Sequence, residues 1–177
     1  MCLFVYNSIF AIRASTAELV ATFTIQGAMN CDWEDLAVGP GPYAQSYIYI
    51  GDVGWNGRRV ACRTVYRVKE PPQLRDAQLP LHGELHYEWD DINCETIMVD
   101  QTAALYLVTK VPKHNASTIY RIPSFAGRYK KVTLTNGKSQ QKLLSKSKGI
   151  SCIINQRHSP LWRFNVRANS KLVTAFK

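Results

Sequence analysis

The 177-residue chain lacks several features that would place it in a familiar class of protein. No window approaches 18 consecutive apolar residues, so the sequence predicts no transmembrane helix. The apolar start, MCLFVYNSIFAI, has no basic stretch before it and no small-residue cleavage site after it, so we interpret it as strand rather than signal peptide. The five cysteines form no CxxC or CxH pair, which argues against zinc, and their odd number leaves at least one thiol free in a monomer.

Acidic residues are absent after Asp100. Residues 1–100 carry 7 Lys/Arg and all 13 Asp/Glu, whereas residues 101–177 carry 15 Lys/Arg, so the net charge of +9 divides into −6 and +15. This asymmetry predicts a folded domain over residues 1–135 and a basic tail over residues 136–177. The tail mixes basic and aromatic residues, as single-stranded nucleic-acid binders do. It has no RNP, KH or zinc-finger pattern, so we favour a solvated tail.

Long helical periodicity is also missing from residues 1–135. The chain instead reads as short runs rich in Val, Ile, Thr and Tyr, separated by Gly, Pro, Asn and Asp. These runs are IFAIRA, LVATFTI, DLAVG, SYIYIGD, RTVYRV, ELHYEW, ETIMVD, ALYLVTK and STIYRI. The pattern predicts an all-β fold.

Two parts of the chain match each other. WEDLAVG, SYIYIGD and RTVYRV are followed, in the same order, by NCETIMVD, ALYLVTK and STIYRI, so that Glu34 aligns with Glu95 and Tyr66 with Tyr120. A repeat of about 40–60 residues that is made of successive antiparallel strands is typical of β-propeller blades. The alternative is two unrelated meanders that converged on common strand residues.

Three acids, Asp32, Glu34 and Asp35, lie within four residues at the start of the first repeat. Glu34 and its counterpart Glu95 each precede an inner strand, and in a propeller such positions ring the central channel. Carboxylates in one channel repel each other unless a cation lies between them. Calcium takes six to eight oxygen ligands in flexible geometry, so the repeat predicts a Ca²⁺ ion near Glu34 and Glu95.

The segment DWEDLAVGPGPYAQSYIYIGDVGWNGRRVACRTVYRVKEP resembles the signature of a group of six-bladed β-propeller proteins, mostly uncharacterised, in which DWEDIAVGPGP, YIYVGDIGDN and IYRVPEP recur. The following blade of that group usually carries DAEALMVD and LYLVTK. The likeness covers about residues 9–122 and implies a partial β-propeller of two to three blades. The calcium ligands that it leaves in this chain are Glu34, Glu95, Asp52 and Asn56.

Two departures from this pattern remove charge at the implied calcium site. Trp55 replaces an aspartate of GDIGDN, and Asn93 replaces the aspartate of DAE. Fewer carboxylates imply weaker calcium binding. The resemblance also implies a fragment of a closed ring, whose unpaired sheet edges would favour self-association.

Three functions follow as expectations. The favoured one is a calcium-binding propeller module with a structural or interaction role, acting on an unknown protein or small-molecule ligand. The alternatives are a calcium-dependent esterase or lactonase-like hydrolase, by analogy at the level of fold, and nucleic-acid binding through the basic tail. No GxSxG motif accompanies a histidine, so we predict no catalytic residue.

Two smaller features complete the sequence interpretation. His82 and His86 lie in LHGELHYEW, which alternates like a strand and would separate them by about 13 Å, too far to ligate one metal. We therefore interpret them as surface or edge histidines. The sequon at Asn115 is compatible with glycosylation and favours an extracellular location.

Overall fold

The computed structural model describes residues 7–54, 63–88, 94–109, 119–125, 128–129 and 133–134. The strands within these residues are β1 (Ser8–Ile12), β2 (Leu19–Gln26), β3 (Trp33–Pro40), β4 (Ser46–Asp52), β5 (Thr64–Lys69), β6 (Ala77–Tyr87), β7 (Cys94–Val99), β8 (Leu105–Thr109), β9 (Ile119–Ile122), β10 (Arg128–Tyr129) and β11 (Thr133–Leu134). A 3-10 turn spans Pro42–Ala44. The described residues contain no α-helix, and no helix there is long and apolar enough to cross a membrane.

The strands form two sheets, each built around an antiparallel meander. In the first sheet β3, β4, β5 and β6 are neighbours in chain order, and in the second β7, β8 and β9 are. The short β10 pairs in parallel with β6 of the first sheet, and β11 returns to pair antiparallel with β9. Four-stranded meanders of this kind are the blades of propellers, and the fold is all-β and partly propeller-like, as the strand pattern predicted. The β1–β2 hairpin joins the first sheet because β2 pairs in parallel with the start of β6, with Phe23 beside Ala77.

The first meander lies between two apolar cores. One core separates it from the second sheet and contains Tyr47, Tyr49, Val53, Val65, Leu85, Tyr87, Cys94, Ile97, Val99, Leu105, Leu107 and Ile122. The other packs it against β1 and β2 and contains Ile9, Ala11, Ala21, Phe23, Ile25, Ala28, Leu36, Ile48, Ile50, Tyr66 and Val68. The first meander is thus covered on both faces.

The sequence of β4, SYIYIGD, shows how this arrangement is specified. Six consecutive residues of the strand are buried. Because successive side chains of a strand point to opposite faces, Tyr47 and Tyr49 enter one core while Ile48 and Ile50 enter the other. A continuous apolar run is what a strand buried on both faces requires.

The two meanders have matching strand registers. Leu36 faces Ile50, which faces Tyr66, and Ile97 faces Leu107, which faces Tyr120. Residues that align in the sequence therefore hold the same ladder positions in their own sheets.

The sequence predicted only the second half of the long strand β6. The sequence pattern placed a strand at ELHYEW, but β6 begins earlier, at Ala77. In its first half Leu79 and Leu81 pack against the same core as β2, but Pro80 and Gly83 are residues that usually interrupt a strand. The predicted basic tail, residues 136–177, lies outside the described residues, as do Trp55, Asn56, Asn93 and Asn115.

Candidate metal centre

Glu34 lies on a β-bulge at the beginning of β3. Trp33 pairs with Asp52 and Asp35 pairs with Gly51, so Glu34 is an additional residue with no counterpart on β4. A bulge bends its strand and redirects the side chain that it carries. The Glu34 side chain is half-buried, and its Oε1 lies beside Gly54, just after the end of β4.

Glu95 lies on the corresponding irregularity of the second sheet. Cys94 pairs with Thr109 and Thr96 pairs with Val108, so Glu95 is again the additional residue. The backbone N–H of Cys94 donates to the carbonyl of Val53 at 3.4 Å, which brings the start of β7 close to the chain that leaves β4. Through this bond the Cα of Glu95 lies within about 11 Å of the Cα of the residue after Val53.

The residue after Val53 is Gly54, and two carboxylates converge on it. A Cβ atom added to Gly54 would lie 2.5 Å from Asp32 Oδ2 and would also collide with Glu34 Oε1. Both oxygens are near the same point, so they lie within about 5 Å of each other, a span that two Ca–O bonds of about 2.3–2.6 Å can bridge. The N–H of Gly54 donates to the carbonyl of Asp32 at 3.2 Å and keeps the two segments together.

Asp52, at the end of β4, supports the turn that carries Asp32. Its side chain is buried, with the residue 3% exposed. Asp52 Oδ1 accepts the backbone N–H groups of Cys31, at 3.2 Å, and Asp32, at 2.6 Å, and Oδ2 accepts that of Cys31 at 3.3 Å. The sequence suggested a calcium ligand at this position. The contacts that Asp52 makes hold the Cys31–Asp32 backbone in place.

Asp35 binds across the gap between the two sheets. Asp35 Oδ1 accepts the N–H of Leu36 at 2.8 Å, and Oδ2 accepts the N–H of Ile97, on β7, at 2.9 Å. Burial raises the pKa of Asp35 to about 7, and the two backbone hydrogen bonds oppose this rise because they favour the ionised form.

The site residues predicted from sequence are therefore only partly brought together. The carboxylates of Glu34 and Asp32 lie close together beside Gly54. Glu95 lies at the same end of the sheets, because the N–H of the preceding Cys94 donates to the carbonyl of Val53. No group of three or more His, Cys, Asp or Glu side chains within the described ranges is arranged to hold a metal ion. Asn56 lies outside these ranges.

The described histidines lie on β6, whereas Cys31 directly precedes Asp32 and Cys94 directly precedes Glu95. His82 is exposed on β6, and His86, on the same strand, contacts Thr64 Oγ1 and Glu84 Oε1 at 3.1 Å each. Their placement on one strand agrees with the sequence interpretation. Cys31 is disulfide-bonded. Cys94 is a buried free thiol.

Sequence reasoning did not assign Asp32, Asp35 and Gly54 to the site. Asp35 was noticed in the acidic cluster, but its bond to Ile97 joins residues 62 positions apart. Gly54 matters because it has no side chain to fill the space that the carboxylates occupy, and a glycine after a strand is an ordinary turn signal.

Comparisons of the chain with protein-family models, curated proteins and solved structures found no match.

Proposed function

We propose that this chain is a calcium-binding module of a β-propeller protein with a structural or interaction role. The observation that carries the proposal is the convergence of the Asp32 and Glu34 carboxylates beside the buried Gly54. In this proposal Asp32 and Glu34 bind the ion, Asp52 orients Asp32, and Glu95 is the nearby carboxylate of the second blade. Asn56 stays a sequence-based candidate ligand.

Two features support the propeller part of the proposal. The meanders share their strand register, and each has its bulge at the glutamate that begins the inner strand. Two unrelated meanders would have no reason to place an additional residue at the same ladder position. We therefore regard the two sheets as repeated blades.

A calcium titration by calorimetry, in protein first stripped with EDTA, tests the site. With two converging carboxylates we expect a dissociation constant of roughly 10⁻⁴–10⁻³ M, the range of weak extracellular sites. Glu34→Gln should weaken binding about tenfold or more, because the ligand loses its charge. The matched control is Glu18→Gln, since Glu18 is exposed and pairs only with Arg13 at the β1–β2 turn among the described residues. Equal affinity of the two variants would count against the site.

Gly54→Ala gives a second test that leaves every carboxylate in the protein. The new Cβ would overlap the Glu34 carboxylate and also the Asp32 carboxylate, including its Cγ at 2.6 Å, and Gly54 has no left-handed backbone conformation to strain. We expect the variant to fold and to lose calcium binding because the two carboxylates must separate. Wild-type affinity in this variant would show that the convergence on Gly54 does not form the site.

A structural role adds a prediction about stability. A ligand that binds only the folded state stabilises it by about 2.7 kcal/mol at a concentration 100 times its dissociation constant. At the same calcium concentration a variant that binds tenfold more weakly gains about 1.4 kcal/mol, so calcium should raise the melting temperature of Glu34→Gln only about half as much as that of the wild type. Binding without any rise in melting temperature would argue against a structural role.

Calcium-dependent ester hydrolysis is the second candidate, and Asp35 is the observation that favours it. A carboxyl group with a pKa of about 7 is suited to general acid–base catalysis at neutral pH. Both oxygens of Asp35 already accept backbone N–H groups, so we place this function second. If the protein hydrolyses any of a panel of esters, and this activity requires both calcium and Glu34, hydrolysis becomes the first candidate function.

We also propose self-association through sheet edges. Within the described strands β1 ends the first sheet, and β11 ends the second on the side away from β7. Edge strands expose backbone N–H and C=O groups that pair with other strands. Light scattering should therefore give a mass above that of one 20.0 kDa chain. A stable monomer at high concentration would contradict this proposal.

A further inference from the structure

We infer that Asp35 is a positioning residue that sets the spacing of the two glutamate-bearing bulges by binding across the gap between β3 and β7. The inference rests on the proposed function, since it concerns how the calcium site is assembled from two blades. It assigns to Asp35 a task distinct from ligation.

Hydrogen bonds cross the gap between the sheets near the bulges. Among the described strands, β3 and β7 end their respective sheets and share no backbone ladder. The N–H of Cys94 reaches the carbonyl of Val53 at 3.4 Å, whereas Ile97 donates to the Asp35 carboxylate at 2.9 Å. The 2.9 Å bond has the usual length of an N–H···O hydrogen bond, whereas 3.4 Å is long, so Asp35 provides the firmer of these two connections.

Glycines allow β7 to lie close to the first sheet. A Cβ on Gly51 would lie 3.1 Å from Ile97 Cγ2, and one on Gly39 would lie 3.0 Å from Val99 Cβ. A side chain at either glycine would push the sheets apart. Because these glycines keep the gap between β3 and β7 narrow, the short Asp35 side chain is long enough to cross it.

The position of this bond in the sequence links it to both bulges. Asp35 directly follows Glu34, and Ile97 is two residues after Glu95. A movement of Ile97 relative to Asp35 must displace one bulge relative to the other, because each is attached by one or two peptide units. The equivalent of Asp35 in the second sheet is Thr96, so a blade of this type does not itself require a carboxylate at this position.

The experiment compares Asp35→Ala and Asp35→Asn with the wild type, using calcium affinity and the exchange rate of the Ile97 amide hydrogen measured by NMR. Asp35→Ala should weaken calcium binding about tenfold and speed exchange at Ile97 about tenfold, because the amide loses its acceptor, while the amides of β4 and β5 keep their protection. Asp35→Asn keeps one acceptor oxygen and should recover part of both effects. It also serves as the test variant if Asp35→Ala does not fold.

Asp100→Ala is the matched control. The Asp100 carboxylate also accepts backbone N–H groups, from Thr102 and Ala104, but within its own turn at the other end of β7. This variant should lose stability and keep the calcium affinity and the Ile97 exchange rate of the wild type.

The outcomes separate this inference from the proposed function. If the wild type binds calcium and the Asp35 variants bind it equally well, Asp35 does not position the site, although the site itself stands. If the wild type binds no calcium, the proposed function fails, and the exchange rate still decides whether Asp35 holds β7. Unchanged exchange at Ile97 in the Asp35 variants would overturn the inference in either case.

Discussion

Replacing Asp35 with asparagine should make the stability of the protein less dependent on pH. Burial raises the pKa of the Asp35 carboxyl from 3.8 to about 7, because the group lies against β7 where water is largely excluded. An asparagine side chain has nearly the same shape and no proton to release in this range. The difference in unfolding free energy between the variant and the wild type therefore isolates this one group.

The sign of the effect follows from linkage. Below pH 3.8 the carboxyl is protonated in both the folded and the unfolded protein, so it adds nothing to the pH dependence. Between pH 3.8 and about 7 the unfolded chain has released the proton while the folded protein still holds it, so rising pH favours unfolding. Above pH 7 both states are ionised and the contribution is constant.

The magnitude follows from the size of the shift. Each pKa unit corresponds to about 1.4 kcal/mol, so a shift of roughly three units gives an upper value of roughly 4 kcal/mol. Asp35 is partly exposed, and solvent screening reduces this value. We therefore expect the stability of Asp35→Asn relative to the wild type to rise by about 2–3 kcal/mol between about pH 4.5 and about pH 8.

Urea unfolding at about pH 4.5, 6, 7 and 8, in EDTA, measures this difference. Asp100→Asn is the control. Burial raises the pKa of Asp100, but hydrogen bonds from Thr102, Tyr106 and Ala104 outweigh it and lower the pKa below 3.8, so its stabilising effect disappears only in more acidic solution. The difference between Asp100→Asn and the wild type should be nearly constant over the chosen range. A constant difference for Asp35→Asn as well would refute the reasoning about burial.

Three further results are expected. Burial raises the pKa of Cys94 to about 12, so iodoacetamide at about pH 8 should label this thiol in urea and not in the native protein, and rapid native labelling in peptide maps would contradict its placement. Phe23→Ala should lower the unfolding free energy by about 3–5 kcal/mol, because Phe23 is fully buried, and a loss below about 1 kcal/mol would mean that this core is misplaced. Tyr49→Phe should cost about 1 kcal/mol, since the Tyr49 hydroxyl donates to the carbonyl of Pro40 at 2.5 Å, and an unchanged urea midpoint would show that this bond contributes nothing.

Most strands could be predicted from the sequence because their residues make them apolar on one or both faces. SYIYIGD and LVATFTI combine β-branched and aromatic residues, and they coincide closely with β4 and β2. The first half of β6 could not be predicted in this way. Leu79 and Leu81 pack against the core there, but Pro80 and Gly83 interrupt the pattern of strand-forming residues, and the pairing of Ala77 with Phe23 joins residues far apart in the chain.

The candidate site was harder to predict than the strands. The acidic cluster was visible, and its equivalence with Glu95 followed from the aligned segments. Whether a given carboxylate binds the ion, supports a turn or connects the two sheets depends on contacts between distant residues, such as that of Asp35 with Ile97. The family resemblance implied that Asp52 is a ligand, and the supporting role follows from its hydrogen bonds to the backbone of Cys31 and Asp32.

The burial of β4 on both faces has a consequence for how the protein unfolds. Tyr49 belongs to one core and Ile50 to the other, yet the two residues are joined by a single peptide bond. Removing either neighbouring layer would expose half of β4 to water and weaken its pairing with β3 and β5, so neither layer can melt while the other stays intact. The described sheets should therefore unfold as one cooperative unit, with the calorimetric enthalpy of the transition equal to its van't Hoff enthalpy.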